Sequence, residues 1–544
     1  MAERTLVVVT YLLIISLVGI YTRRYARGTP EDFFLAGRNL GPFLLFCTMA
    51  ATNFSAFTVF GFSGAGYRLG YGFYPIMAFG TAFMAVTFSF IGKRVWQLGK
   101  KEGHITPAEL IGRRYRSRAL RLVFFGVMVI FTLPYIAIQP ISAGYALESL
   151  LGIPYFAGAL LVMGVIVAYV FLGGLRGVVW TDALQGAMMI LLMITALMIA
   201  AAPHGGLIRA NLTAFHRFPD LYSRPGPNNA FPLGIWFSYM ILWFLCDPLF
   251  PQLFQRFFAA KDRRSLDITM LTYPLVTGLL FLLPVSIGVI GRLSLPGLKG
   301  KEADRILPLL MQQLADNWIG ALVLTAGLAA LMSTLDSQLL TLSSMFARDI
   351  PRRPHGAKNQ QKIGRIFVIV LAVAGLAIAY RPPSTILTIA TQTFTGLAVL
   401  FPTLVAGLYW PRATALGAGL SILIGETMVV LYALGWLPTL GFLPVVPVLL
   451  VTSVVIIVVS LLQRGRPSAE PELPGSIGGR PIGRKKAVTG GAVFAVLFLL
   501  GIDYWSWGSA TPLILGFPWW LWYFVGLNGL LIVAMALFLR DRPL

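Results

Sequence analysis

Cysteine and histidine are rare in this chain of 544 residues, which contains two cysteines, Cys47 and Cys246, and four histidines. Both cysteines fall within apolar stretches, so the sequence predicts no disulfide framework. The histidines form no metal-ligating or nucleophile–base pattern. We therefore expect a protein that is not an enzyme.

Charged residues are also few: they make up 12% of the chain, against 57% hydrophobic residues, and the mean hydropathy is +0.78. This composition predicts an all-α integral membrane protein rather than a soluble multidomain protein. Apolar runs of roughly 17 to 25 residues are long enough to cross a bilayer. They predict about fifteen transmembrane helices, at residues 5–23, 41–66, 71–93, 120–150, 154–172, 180–202, 231–252, 267–291, 318–347, 363–380, 384–409, 413–434, 443–463, 488–502 and 517–539.

Acidic residues are about half as common as basic ones, 21 against 43, which gives a net charge of +22. The basic residues concentrate in alternate loops, and this is the positive-inside pattern of membrane proteins. The charge therefore indicates topology and not a nucleic-acid partner. We expect a multi-pass protein of the cell membrane with its N-terminus outside and its C-terminus in the cytoplasm. The segments that set this orientation are 23–38, 93–121, 256–264, 348–365 and 464–486.

One apolar run, 318–347, contains a polar stripe. At helical spacing Ser333, Thr334 and Ser337 share a face, with Asp336 at its edge. A carboxylate in hydrocarbon costs at least about 2.5 kcal/mol, so it normally faces a bundle interior, a water-filled path or a cation. The stripe favours a cation site. Serine and threonine that only allow close helix packing would give a similar pattern.

Two other spans contain glycine, proline and amide side chains at membrane depth, over 50–70 and 245–255. Such residues predict interrupted helices that line a cavity. Each interrupted span is the first of five, in 41–202 and 231–409, and an odd number of spans inverts the second set relative to the first. The remaining segments are a peripheral N-terminal helix (1–30), peripheral helices (413–463), a basic cytoplasmic linker (464–487) and a C-terminal helix pair (488–539).

Several short motifs occur together in a fixed order and resemble the sodium:solute symporter family over about residues 33 to 410. They are found at 32–38, 105–110, 169–175, 180–185 and 255–260, and the polar stripe follows them. The resemblance implies a leucine-transporter-like fold, that is, a five-plus-five inverted repeat with extra peripheral helices. It also implies a sodium-coupled secondary active symporter that works by alternating access, similar to sugar, proline, pantothenate and monocarboxylate symporters.

The resemblance implies Na+ as the bound ion and places it between the first interrupted span and the polar stripe. Its ligands would be backbone or hydroxyl oxygens of Ala51, Phe54, Ala330, Ser333 and Thr334.

Some members hold a further cation, for which the matching residues are Asp182, Asp336 and Ser337. Asp336 stands where those members have serine. It could strengthen sodium binding, accept a proton or pair with an arginine. Asp182 could instead cap a helix N-terminus.

The solute is harder to predict. The segment 133–139 resembles members that carry small carboxylic acids, and a monocarboxylate-like solute is our first expectation. An amino acid such as proline, pantothenate or a sugar is the alternative, although Thr58 and Met77 replace polar groups that sugar carriers use. No Arg or Lys is expected deep in a core span. The candidate pocket residues are Asn53, Phe57, Thr58, Tyr135, Gln139, Asp247, Gln252 and Gln392.

The sequence is also compatible with other functions. A proton-coupled transporter and a transporter-like sensor are the nearest alternatives to sodium symport, whereas a channel would need rings of charge or carbonyl groups that a single chain does not supply. The expected partners are the lipid bilayer and a small organic solute. The C-terminal helix pair could also dock a helical partner.

Overall fold

The computed structural model describes residues 2–25, 29–351, 356–463 and 484–538. Most of the predicted basic linker, 464–483, and the C-terminal residues 539–544 lie outside these ranges. The described residues form helices joined by loops and turns, together with one short antiparallel hairpin, β1 (Leu513–Ile514) and β2 (Phe517–Pro518), and an isolated parallel bridge between Leu40 and Ala260.

The helices of the first part of the chain are α1 (Ala2–Tyr21), α2 (Pro30–Leu35), α3 (Pro42–Asn53), α4 (Phe62–Leu69), α5 (Phe73–Thr87), α6 (Lys93–Glu102), α7 (Pro107–Arg114), α8 (Arg118–Leu151), α9 (Tyr155–Ala201) and α10 (Leu207–Arg217). A π-helical segment, Phe57–Gly61, leads into α4, and a second one, Phe88–Gly92, joins α5 to α6.

The helices of the second part are α11 (Leu233–Cys246), α12 (Pro251–Ala259), α13 (Arg263–Ser294), α14 (Ile306–Leu314), α15 (Asn317–Asp349), α16 (Ala357–Tyr380), α17 (Ile386–Ala398), α18 (Leu400–Tyr409), α19 (Ala415–Ala433), α20 (Val445–Leu462), α21 (Arg484–Leu500) and α22 (Trp519–Phe538). Short 3₁₀ turns join several of them.

Twelve of the described helices are long and apolar enough to cross a membrane, or thirteen if the bent pair α11–α12 counts as one span. The predicted number of about fifteen is slightly higher. The difference lies in two shorter apolar helices, Pro42–Asn53 and Tyr155–Val170, which fall within predicted spans. The protein is a multi-pass membrane protein.

The first predicted interruption separates α3 from the helical segment that starts at Phe57. Phe54 leaves the helical conformation, with φ −83° and ψ 83°. The freed backbone N–H groups find side-chain acceptors: Ala56 N–H donates to Gln139 Oε1 at 3.2 Å, and Phe57 N–H donates to Ser55 Oγ at 3.1 Å. A helix can therefore be broken at membrane depth without leaving these donors unpaired.

The second predicted interruption separates α11 from α12. The chain bends by 50° there, through a 3₁₀ turn at Asp247–Leu249. Pro251 begins α12, and a proline fits the first turn of a helix because the missing N–H has no helical partner there.

A third break divides α9 into the two spans expected at 154–172 and 180–202. Gly174 adopts φ +57° and ψ −161°, and a Cβ at this position would lie 2.8 Å from the Phe33 ring. Both the backbone and the space require glycine here. The first half of α9 therefore continues into the second without a loop.

The two peripheral ends of the chain pack on different helices. Helix α1 lies against α9 and α15, whereas α22 lies against α5 and α13. A fully buried ion pair, Arg224 Nη1 to Asp503 Oδ2 at 2.8 Å, joins the loop between the predicted repeats to the α21–α22 connection. The Trp520 ring lies 4.3 Å from this guanidinium.

Replacing Arg224 with alanine is expected to destabilise the folded protein by about 3 to 5 kcal/mol, because Asp503 would stay buried without a counter-charge. Thermal unfolding in detergent measures this change. The exposed Arg209, replaced in the same way, is the control and should alter little. Replacing Arg224 and Asp503 together by Met and Leu should recover stability, and a double variant no better than Arg224→Ala would contradict the explanation.

Candidate functional site

The broken end of α3 meets the polar stripe of α15 in the centre of the molecule. The Ser333 hydroxyl donates to Ala51 O at 2.8 Å and lies 3.0 Å from Ala330 O in its own helix. The Thr334 hydroxyl donates to Thr52 O at 2.9 Å. Four of the five predicted sodium ligands therefore meet where α3 ends, and Phe54 is the first residue beyond that end.

This convergence has a local cause. Backbone oxygens near the end of α3 can accept from another helix because the chain leaves the helical path at Phe54. Helix α15 is buried over the whole stripe and presents small hydroxyl side chains there, which allow the two helices to approach closely. Neutral oxygens of this kind suit a monovalent cation that must be released in every cycle.

A buried arginine lies beside this group. The sequence predicts Arg256 at the start of a basic cytoplasmic loop, but this residue lies within α12 and is fully buried. Its Nη2 donates to Ser337 Oγ at 2.6 Å and to Thr52 Oγ1 at 3.1 Å. Its Nε and Nη2 reach Thr48 Oγ1 at 3.2 and 3.1 Å. The expectation that no Arg lies deep in a core span is therefore wrong.

Asp182 faces the same guanidinium. Its Oδ2 accepts from the Thr48 hydroxyl at 2.5 Å and lies 3.6 Å from Arg256 Nη2. Asp182 lies well inside the second half of α9 and not at its start, so the proposed N-cap role is wrong. The ion pair depends on three separate elements, and sequence spacing gives no sign of it.

Asp336 is turned toward a different side of the cluster. It accepts from the Tyr169 hydroxyl at 2.9 Å and has no ion-pair partner in the part of the chain that the structure describes. Its Oδ1, like Asp182 Oδ1, has no hydrogen-bond partner among the described residues. The peripheral helix α1 closes this side, where Gln185 donates to the Tyr11 hydroxyl at 3.0 Å.

A small cavity lies between the two broken helices. Of the eight predicted pocket residues, five line it: Asn53, Phe57, Thr58, Tyr135 and Asp247. Sequence reasoning missed the other lining residues, which are Phe62, Met77, Thr81, Trp243, Phe250, Phe281 and Phe394. Apart from Thr81, these side chains are apolar and resemble ordinary core residues. Only the comparison of Met77 with sugar carriers and the position of Trp243 and Phe250 beside the second interruption could have indicated them.

The three predicted glutamines do not line this cavity. Gln139 holds the break in the first core helix through Ala56 and donates to Tyr135 O at 3.0 Å, so it has a structural role. Gln252 is buried near Arg256, and its side-chain amide has no hydrogen-bond partner among the described residues. Gln392 lies on the exposed side of α17. These three predictions of solute contact are not supported by the geometry.

Comparison with known proteins agrees with this architecture. The sequence pattern of the sodium:solute symporter family matches residues 33–425. The sodium/pantothenate symporter of Haemophilus influenzae is 29% identical over 419 residues, which cover 74% of this chain and 84% of that protein. The sodium/proline symporter of Staphylococcus aureus is 27% identical over 488 residues, which cover 84% and 92% of the two chains.

Two solved structures have a similar fold. A substrate-bound, outward-open Na+-coupled sialic acid symporter superposes with a TM-score of 0.71 and 18% identity, covering 86% of this chain and 98% of that one. A closed conformation of Mhp1, a nucleobase-cation-symport-1 family transporter, gives a TM-score of 0.56 with 13% identity, over 79% and 92% of the chains.

The two solved structures confirm the leucine-transporter-like fold. The family match and the curated relatives indicate sodium as the coupling ion. They also support transport rather than an enzymatic activity. The chain belongs to the sodium:solute symporter family.

Proposed function

We propose that this protein imports a small organic solute by alternating access, driven by one sodium ion bound between α3 and α15. The observation that carries the proposal is the Ser333 hydroxyl, which lies within 3.0 Å of both Ala51 O and Ala330 O. A cation at this position would hold the broken end of α3 against α15. The proposed orientation keeps the N-terminus outside and the C-terminus in the cytoplasm.

The predicted second cation position, unlike the first, already contains a positively charged side chain. Of the predicted ligands Asp182, Asp336 and Ser337, both Asp182 and Ser337 contact Arg256. A sodium ion there would lie close to a guanidinium and be repelled by it. We therefore propose that Arg256 is a fixed cation in this place, and that the remaining charge is balanced by a proton on Asp336.

The charges of the buried cluster support this choice. The buried cluster contains two carboxyl groups, Asp182 and Asp336, but only one guanidinium, that of Arg256, which pairs with Asp182. One negative charge is therefore left when both carboxyl groups are ionised. An uncompensated buried charge is costly, and protonation of one carboxyl group removes it. The hydroxyl donor Tyr169 can still pair with the other oxygen of Asp336.

The solute binds in the cavity between the broken helices. In the residues that line it there is no Lys or Arg that could pair with a carboxylate. The amide nitrogen of Asn53, which also lines the cavity, donates to the Tyr273 hydroxyl at 2.5 Å and lies 3.4 Å from Asp247 Oδ2. A monocarboxylate-like solute, our first expectation from the sequence, finds little support here. The named relatives make an amino acid or pantothenate the alternatives to test.

Uptake into proteoliposomes tests the proposal. A panel of radiolabelled amino acids, pantothenate, small carboxylic acids and sugars is supplied under an imposed sodium gradient, and then under a proton gradient with potassium in place of sodium. We expect accumulation of one solute class in the first condition. Accumulation that is indifferent to sodium would overturn the proposed coupling.

Replacing Asp336 with asparagine, which imitates a protonated carboxyl group, is expected to leave sodium-driven uptake largely intact. We expect uptake by the wild type to depend on pH and uptake by Asp336→Asn to be independent of pH. Initial uptake rates between mildly acidic and mildly alkaline pH measure this. If instead sodium activation is cooperative in the wild type and non-cooperative in Asp336→Asn, a second sodium ion binds there and the proton assignment is wrong.

A further inference from the structure

The cavity between the broken helices has an aromatic wall. The Phe394 ring centroid lies 4.6 Å from that of Phe250, 4.9 Å from Tyr135, 5.1 Å from Trp243 and 6.1 Å from Phe57. All five rings are at most 3% exposed. Aromatic faces are electronegative and attract cations, most strongly in the case of tryptophan.

A carboxylate completes this wall. Asp247 lines the same cavity and is 2% exposed. Its side chain lies 3.4 Å from the Asn53 amide nitrogen, and the described chain gives it no ion-pair partner. Arg256 lies later in the chain, in α12, and its guanidinium donates hydrogen bonds to the hydroxyl groups of Thr48, Thr52 and Ser337 rather than to Asp247.

The backbone around Asp247 adds to the negative potential. Asp247 directly follows Cys246, the last residue of α11, so it lies at the carbonyl end of that helix. This end of a helix carries partial negative charge and stabilises cations. A carboxylate, a helix C-terminus and several aromatic rings thus lie together at this cavity.

From this we propose that the transported solute carries a cationic nitrogen, an ammonium or alkylammonium group that pairs with Asp247 and lies against the aromatic wall. The inference rests on the proposed function of this cavity as the solute site. It assigns Asp247 a role separate from sodium binding, because the hydroxyl and backbone oxygens of the sodium position lie on α3 and α15.

The class of solute follows from the charge. Zwitterionic amino acids, betaines and choline-like cations all carry such a nitrogen. A solute whose only charge is a carboxylate would be repelled by an ionised Asp247, and a neutral sugar would leave that carboxylate without a counter-charge, so either solute would require Asp247 to bind a proton. The cavity has a volume of about 20 Å³, so the rings must separate to admit a solute.

Pairs of solutes that differ only in the charged nitrogen provide the sharpest test. In each pair a carbon atom replaces the charged nitrogen. Proline is compared with cyclopentanecarboxylate, glycine betaine with the anion of tert-butylacetic acid, and choline with the corresponding dimethylbutanol. Tetramethylammonium serves as the smallest cation. The purified full chain is screened by thermal shift with sodium present. We expect at least one nitrogen-bearing probe to stabilise the protein and its carbon isostere not to do so.

Variants then locate the charge. Asp247→Asn should lower the affinity for the stabilising probe at least about tenfold, the loss expected for one charge-assisted contact of about 1.4 kcal/mol. Trp243→Leu should also lower this affinity and reduce the difference in affinity between the probe and its carbon isostere. Glu426→Gln, a carboxylate-to-amide change in α19 away from the cavity, is the matched control and should bind normally.

Stabilisation by sodium itself, compared with potassium, keeps this inference separate from the proposed function. If sodium stabilises the wild type and Asp247→Asn alike, both are folded and the ion site is intact. In that case, either of two results overturns the inference. One is that the carbon isosteres stabilise the protein as strongly as their nitrogen partners do, and the other is that no cationic probe stabilises it. If sodium has no effect on the wild type, the proposed sodium coupling fails instead.

Discussion

Replacing Ser333 with alanine is expected to raise the sodium concentration for half-maximal uptake at least about tenfold, and to abolish accumulation at low sodium. The hydroxyl contacts Ala51 O at 2.8 Å and Ala330 O at 3.0 Å, so its loss removes one ligand and the group that joins the other two. Uptake into proteoliposomes over a series of sodium concentrations measures the change.

The same helix provides a matched control. The Ser343 hydroxyl is also buried in α15, but it donates to Leu340 O in its own helix at 2.7 Å and takes no part in the contact with α3. Ser343→Ala should keep the sodium dependence of the wild type. Equal sodium dependence in Ser333→Ala and Ser343→Ala would show that the cation binds elsewhere.

Replacing Arg256 with alanine is expected to destabilise the protein by about 3 to 5 kcal/mol, because Asp182 would then be buried without its counter-charge. The guanidinium also joins α12 to α3 and α15 through Thr48, Thr52 and Ser337. Its removal should therefore lower the thermal unfolding temperature in detergent. Sodium-driven uptake should fall with it, since the same side chains border the sodium position.

Three companion variants separate charge from geometry. Arg256→Lys keeps the charge but cannot reproduce the planar fork that reaches several hydroxyls at once, so it should be intermediate. The double change Arg256→Gln with Asp182→Asn should recover part of the stability, because no charge is then left unpaired. Arg113→Ala, at a site whose side chain is 75% exposed, is the control. An Arg256→Ala protein as stable as Arg113→Ala would disprove the role of the ion pair.

Much of the fold could be predicted from the sequence because membrane helices obey strong local rules. Apolar length identified the spans, and Gly, Pro and amide side chains identified both interruptions. These signals are local: Pro251, for example, cannot donate a backbone hydrogen bond, whatever surrounds it in the folded protein. The domain boundaries at 41–202 and 231–409, the orientation of the termini and a helical partner at 488–539 stay predictions.

The solute site was less predictable, as three glutamines illustrate. An amide at membrane depth needs a partner, but sequence does not say whether that partner is a solute or the backbone. Gln139 turned out to satisfy Ala56 at the helix break, while Gln392 faces outward. The glutamines gave a signal but do not line the cavity, whereas the aromatic wall lines the cavity and gave no signal. Phe394 and Trp243 look like ordinary core residues in the sequence, and only the packing of several helices brings their rings together.

The sequence by itself determined that this protein spans the membrane many times, that two of its helices are interrupted, and that hydroxyl groups and a carboxylate occupy one face of α15. Apolar length, backbone hydrogen bonding and helical periodicity are properties of short segments, so they can be read along the chain. Only the tertiary structure decided where the charges go. Arg256 looked like a loop residue and proved to be the buried partner of Asp182, because ion pairing depends on distances between helices that are far apart in sequence.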